Sequence, residues 1–405
     1  MLGSIFTGLT GLLGFSKGLD VLSNNIANLN TPGFKGTELA FRDLMYRYSV
    51  NGGNDGDASQ VGCGVDTPST RTKFAQGELR STGNALDAAI DGNGFFVLRD
   101  KDGKLYYSRS GQFEIDADGY LVDQASKNRV LALESGSLVE IQVGNLRANA
   151  PHATSNVTFT GNFSTGTSAF DVADVTIYDA NGATQRLTIH FTNTASTTTG
   201  SWQVEVMDQG ATDPSAVIAS GQIRFQGNGS PLTGYNTVSF TYTPASAPAS
   251  TITLDFGDPG TFTGTTSFSG GTTSDVSVAS QDGYAVGALT TTTFDEDGNL
   301  KLTYANGQTV TSDQLAIAWF ENLQKLELSG SGLFVNPGTE QPILGVANAG
   351  GMGKVIGGKI ELSNVDLTAQ FTDMVIIQRG YQASSQVTTV ANEMIQQLMD
   401  MHRRG

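Results

Sequence analysis

The chain holds one cysteine, Cys63, and three histidines, His152, His190 and His402, in 405 residues. A single thiol excludes an intrachain disulfide and any cysteine-rich metal centre, so stability must come from packing. The histidines are widely separated and no nucleophile elbow is present, so nothing converges on a reaction. Positive charge is scarce as well: 23 Lys and Arg stand against 39 Asp and Glu, a formal net charge of −16. That balance speaks against a sequence-independent grip on nucleic acid or insertion into an anionic membrane, and it favours solubility. No uninterrupted apolar run reaches membrane-spanning length. The apolar start at residues 2–15 has no basic residue before it and Lys17 after it, which does not read as a cleaved signal. The glycine-rich AGGMGKVIGG, residues 349–358, lacks the Walker pattern because Asn348 and Val355 stand where Gly and Ser or Thr are needed. It reads as a flexible connector, and no cofactor is expected.

What the chain does have is a matched pair of ends. Ile5, Leu12, Leu19 and Ile26 recur every seven residues near the start. Val387, Met394 and Met401 do so near the end, with Ala391 and Leu398 interleaved. This spacing is the seam of a helix packing along other helices. Phe6, Leu13, Phe15, Leu22 and Leu29 flank the first seam on both sides, so more than one neighbour is implied. The first helix also carries Gly3, Gly8, Gly11, Gly14 and Gly18. Each costs up to about 1 kcal/mol relative to alanine in a helix, so the segment is marginal alone, and the glycines would let helix backbones approach closely.

Between the ends the period changes to two. Phe96, Leu98, Tyr107, Phe113 and Ile115 alternate with polar residues, punctuated by Asp-x-Asp-Gly at 100–103 and 116–119, and a further Asp-Glu-Asp-Gly lies at 295–298. A calcium loop would need glycine sixth, and here it is fourth, so these are hairpin turns. Residues 146–282 contain no lysine and six of the ten prolines. Their short strands, among them Val175 and Ile177, Leu187 to Phe191, Trp202 to Val206, and Ile252 and Leu254, suggest a sandwich or barrel. The fold class is therefore mainly β with α-helical termini.

Three segments carry a resemblance. NNIANLNTPGFK (24–35), SNVDLTAQFTDMVIIQRGYQASSQ (363–386) and GNGFFVL with YSRSGQFEIDADGYLV (92–98, 107–122) are similar to the signatures of bacterial flagellar axial proteins. That family builds rod, hook and hook-filament junction. The matching positions include Asn24, Asn25, Ile26, Ala27, Asn28, Gly33, Phe34 and Lys35 at one end, and Gln378, Arg379 and Tyr381 at the other. The pattern is left at Ser384, where Asn is usual. Length and the long β insertion resemble the hook members more than the rod members. The resemblance implies nested β domains, 67–145 with 283–361 enclosing an outer 146–282. A linker with a hairpin at 31–66 and a coiled-coil-like inner domain of 1–30 with 362–405 complete the expected layout. It further implies a non-enzymatic subunit that forms a helical homopolymer outside the cell, exported by the flagellar type III apparatus. Its expected neighbours are a distal rod protein, a hook cap and a hook-filament junction protein. Phe41 and Met45 have the form of an export-gate docking motif, and anchoring of the linker is the equal alternative. A distal rod or other axial subunit, and more remotely a secreted β-rich adhesin, remain open at this point.

Overall fold

The computed structural model describes residues 2–50, 58–209, 217–245, 247–338 and 340–404. The stretch 51–57, within the polar part of the long linker, therefore lies outside the described residues. The chain forms two compact units: Met1–Asn145 with Thr291–Leu302 and Val310–Gly405, and Leu146–Thr290 with Thr303–Thr309.

The first unit contains helices α1 (Leu2–Ala27) and α2 (Leu367–Arg404) and an antiparallel sheet. The sheet joins stretches far apart in sequence: Ile317 pairs with Phe96, and Tyr107 with Phe334. Alternation explains which side chains go inward. Phe95, Val97, Tyr107, Leu131, Ala318, Phe320 and Phe334 close one core, with Phe95 against Phe334 at 5.5 Å and Tyr107 against Phe320 at 4.8 Å, both edge-on. Two further ladders draw the chain ends together. Ala88–Asp91 pairs with Lys354–Gly357, and Leu79–Ser81 with Lys359–Glu361. The first of these corrects the reading of residues 349–358 as a flexible connector. Val355 is fully buried opposite Ile90, so the apolar residues in that glycine-rich run commit its second half to a strand.

The hairpin turns are built as the Asp-Gly spacing requires. Asp100 Oδ1 accepts from the backbone N–H groups of Asp102 and Lys104, and Gly103 takes φ +84°. Asp295 repeats the arrangement, accepting from Asp297 and Asn299 with Gly298 at φ +78°. Partial burial works to raise the Asp295 pKa, but the bonds from Asn299 and the nearby Lys301 outweigh it and hold it below the ordinary value. Its contribution to stability is thus present above the usual carboxylate range and lost as pH falls through the lowered pKa. Asp295→Ala is expected to cost about 1–2 kcal/mol at pH 7. Urea titrations at pH 7 and pH 3 check this, and an equal cost at both would refute it.

The core of the second unit lies between two sheets. Ala169–Tyr178, Thr184–Asn193, Ser201–Asp208 and Val217–Arg224 form an antiparallel run. The other sheet centres on Asn156–Asn162, which lies parallel to Ser250–Asp255 and antiparallel to Ser277–Gln281. Alternate residues of both sheets, including Val157, Phe159, Ile177, Ile189, Trp202, Val204, Ile252 and Leu254, are buried together. Phe163 sits within 5.3 Å of Phe191, Trp202 and Phe225, so aromatic contacts dominate this core.

Candidate assembly surface

α1 and α2 run antiparallel, and their meeting line differs from the expected seam. Where an added Cβ would lie on Gly8, Thr388 Oγ1 is 2.5 Å away; on Gly11, Ser384 Oγ is 2.7 Å away; on Gly18, Ile377 Cδ1 is 2.8 Å away. In return Gly380 receives the ring of Phe15, 2.5 Å from such a Cβ. The intramolecular seam is thus Gly8, Gly11, Phe15, Gly18, Leu22 and Asn25, in 3-4 alternation, against Gln370, Ile377, Gly380, Ser384, Thr388 and Ala391. Of the expected seam only Ala391 belongs to it. Ile5, Leu12, Leu19 and Ile26 lie half-buried beside it, and Val387, Met394, Leu398 and Met401 are exposed. The physical reason is distance: glycine and serine let the backbones close to a separation that a leucine stripe would hold open. Phe6, Leu9 and Leu13 of α1 are exposed too. Each helix therefore keeps an apolar stripe that is exposed among the described residues. By length and average composition alone, Gly3–Ala27 is apolar enough to cross a membrane, because its leucines, isoleucines and Phe residues outweigh the glycines, although Lys17 and Asp20 interrupt the run.

The end of α1 is locked by the NNIANLNTPGFK segment. Asn28 Nδ2 donates to Asn24 O, and Asn25, almost fully buried, donates to Gln370 Oε1 at 2.9 Å and to Thr37 O at 2.7 Å while accepting from Thr37 N–H. One asparagine thus ties α1, α2 and the linker. Gly33, at φ +69°, presses against the backbone of Ser110, where a Cβ would lie 2.4 Å from nitrogen. α2 is capped by Asp366, whose carboxylate accepts from the N–H groups of Thr368 and Ala369. Asn24, Ala27, Gln378, Arg379 and Tyr381 are exposed, whereas Phe34 is buried.

Lys35 leads to a feature that sequence reasoning missed. Its ammonium, 1% exposed, pairs with Glu361 at 2.5 Å, and Arg109 reaches the other oxygen of the same carboxylate at 3.3 Å. Gly77 N–H donates to Glu361 as well, and Arg109 also holds Gly92 O at 2.7 Å and lies over the Phe95 ring. Two buried cations thus share one buried carboxylate. Burial lowers the pKa of Lys35 and of Arg109, and the attraction of Glu361 opposes it in both cases. Arg109 lies within a recognised segment and Glu361 just before one, but nothing in the spacing announces that Glu361 would meet two cations 252 and 326 residues away.

The linker folds back as a hairpin, with Thr37–Leu39 on Thr70–Thr72 and Tyr46–Val50 on Ala58–Gly62. It lies along α1, since Phe41 is 5.8 Å from Phe15 and Gly14 faces Phe41, Val65 and Thr67. Phe41 is nevertheless part-exposed, and Met45 is 82% exposed.

Family models match four regions in chain order: Flagella basal body rod protein at 5–35, Flagellar hook protein FlgE/F/G D1 domain at 89–167, Flagellar basal body protein FlaE D2 domain at 145–284, and Flagellar basal body rod FlgEFG protein C-terminal at 356–401. The flagellar hook protein FlgE of Treponema pallidum is 30% identical, covering 100% of both chains. That of Borreliella burgdorferi is 29% identical over 98% of this chain and 99% of the relative, and that of Salmonella typhimurium 29% over 97% and 98%. These relatives are hook proteins along their whole length, so the rod and adhesin alternatives are not favoured. A glycine-lined helix pair with uncovered apolar stripes, two β units and end-to-end likeness to these subunits agree: the chain belongs to the flagellar hook protein family, whose members are structural and not enzymes.

Proposed function

We propose that the chain polymerises head to tail into a tubular, bendable joint that carries torque from a rotary motor to a filament. The observation that carries the reading is the pair of apolar stripes, Phe6, Leu9 and Leu13 on α1 and Val387, Met394, Leu398 and Met401 on α2, left exposed once the two helices have paired. Contacts that do not close on themselves build helical polymers, and copies of the same helix pair are the natural cover for such stripes. In this reading residues 1–30 with 362–405 line the inner tube. Residues 67–145 with 283–361 form a middle layer, and 146–282 an outer domain. Compactness of Leu146–Thr290 as a unit supports that nesting. Polar Thr- and Ser-rich surfaces between outer domains give many weak contacts, which allow sliding on bending. The neighbours are further copies, a distal rod protein, a hook cap and a hook-filament junction protein, and the tube stands outside the cell.

Electron microscopy of polymers grown from the purified chain tests the reading. Curved, bendable tubes are expected. Straight stiff tubes would return the rod reading, and a chain that stays monomeric under all conditions would overturn both. Phe41 and Met45 serve the type III export gate in the same reading. Changing both to Ala then stops secretion while purified subunits still polymerise, and undiminished secretion would refute that role.

A further inference from the structure

At one end of the second unit the inward rows of its sheets stop being apolar. Alternate residues of four chain stretches are buried, and the next residue in each row is polar: Asp179 after Val175 and Ile177, Gln185 before Leu187 and Ile189, Asp208 after Val204 and Val206, and Tyr242 after Val238 and Phe240. Register brings these residues together. Gln185 pairs with Ile177 and Asp208 with Leu187, and Tyr242 reaches across from the other sheet to place its hydroxyl 3.5 Å from Asp208 Oδ1. The sheets leave a cleft of about 980 Å³ there, lined by Gln185, Asp208 and Tyr242 together with Thr184, Thr241 and Thr243. Asp179 is 2% exposed; its Oδ1 accepts from the N–H groups of Asn181 and Ala183, while Oδ2 is buried with no partner among the described residues. Burial, then Asp208 and Asp179, raise the pKa of the Tyr242 hydroxyl, so both carboxylates lie near it and it stays a donor. At the rim, Arg186 is held by Asp174 at 3.2 Å.

We propose that this cleft is a binding site for a neutral saccharide. Polar residues at core-facing positions cost stability where apolar ones would extend the core, so a cleft that keeps four of them suits a ligand better than it suits packing. Its volume lies at the upper end of small-molecule sites, about 300–1000 Å³. Chemistry narrows the class. The carboxylates and the Gln185 amide oxygen accept, whereas its amide nitrogen and the threonine hydroxyls also donate, so the ligand must offer donors and acceptors in close succession, as the hydroxyls of a sugar ring do. An alkylammonium only donates and leaves the Gln185 amide nitrogen unmatched. An apolar ligand leaves the carboxylates unpaired. Anionic glycans are repelled as well, because Asp174, Asp179 and Asp208 outnumber Arg186 and residues 146–282 carry ten Asp and Glu against three Arg.

Saturation-transfer NMR of the full monomeric chain with maltotriose, cellotriose, chitotriose, a galacturonate trimer and spermidine tests the assignment. At least one neutral trimer is expected to bind with a Kd of about 1 mM or tighter, and the galacturonate trimer and spermidine about tenfold more weakly or not at all. Gln185→Leu continues the apolar row of Leu187 and Ile189, so the monomer should melt no lower than the wild type. It is expected to weaken the neutral saccharide about tenfold, the loss of one or two hydrogen bonds. Thr243→Trp, at the exposed mouth, should block binding by bulk without touching the core. Absence of binding by all three neutral trimers at about 10 mM, tighter binding of spermidine or galacturonate, or binding undiminished in both variants would overturn the proposal. Saccharide binding does not depend on polymerisation, so either result leaves the polymer reading standing.

Discussion

Glu361→Gln is expected to destabilise the first unit by about 3–5 kcal/mol, the cost of leaving buried charge without its partner. The change leaves Lys35 and Arg109 facing each other with no carboxylate between them, and it weakens the acceptor for Gly77 N–H. Lys35→Met should cost much less. Glu361 keeps Arg109 and Gly77, the methionine fills similar volume, and Ala75 O, which Lys35 also bonds, retains the Asn364 side chain. The order of the two variants is thus the informative quantity, because a simple count of lost ion pairs would rank Glu361 and Lys35 only two to one. Urea titration measures the loss, and peptide-resolved hydrogen exchange assigns it to the first unit, with the second unchanged. A larger loss for Lys35→Met than for Glu361→Gln would show that the carboxylate is not the keystone of the cluster.

Gly11→Leu with Gly18→Leu is expected to abolish polymerisation and leave both β units folded. By helix propensity alone these changes favour α1, by about 1 kcal/mol each. Their Cβ atoms, however, would meet Ser384 Oγ and Ile377 Cδ1 at 2.7 and 2.8 Å, and the rest of each leucine would enter the space of α2. Overpacking of this kind forces the elements apart. The outcome separates two roles for glycine: if close approach governs, tubes vanish from electron micrographs while the β signal in circular dichroism and the main melting transition persist. Normal tubes from the doubly substituted chain would show that the seam tolerates a wider spacing.

Much of this was legible in the sequence. The helical ends followed from period seven, the first β region from period two, and the Asp-Gly turns from the need for a local acceptor and a positive φ. More apolar stripes than one neighbour could cover were also readable, and Phe6 and Leu13 are exposed once α1 has met α2. What escaped was the assignment of stripes to neighbours. Periodicity marks a face as apolar, but Gly8, Gly11 and Gly18 add no hydrophobicity, so the stripe that makes the intramolecular contact was the least visible one. Val355 was hidden for a related reason, being surrounded by glycines that suggested a loop, until Ile90 supplied the other side of its ladder.

Local rules thus determined, from the sequence alone, that this chain folds a β body between two helices. They also determined the turns, since each depends on residues at most four apart. Only the tertiary structure decided which helix faces meet, that Asn25 joins α1 to α2 and the linker, and that Lys35, Arg109 and Glu361 share one buried site. Those contacts link residues up to 345 apart. Their geometry comes from close packing and from the cost of burying charge, neither of which leaves a period in the chain.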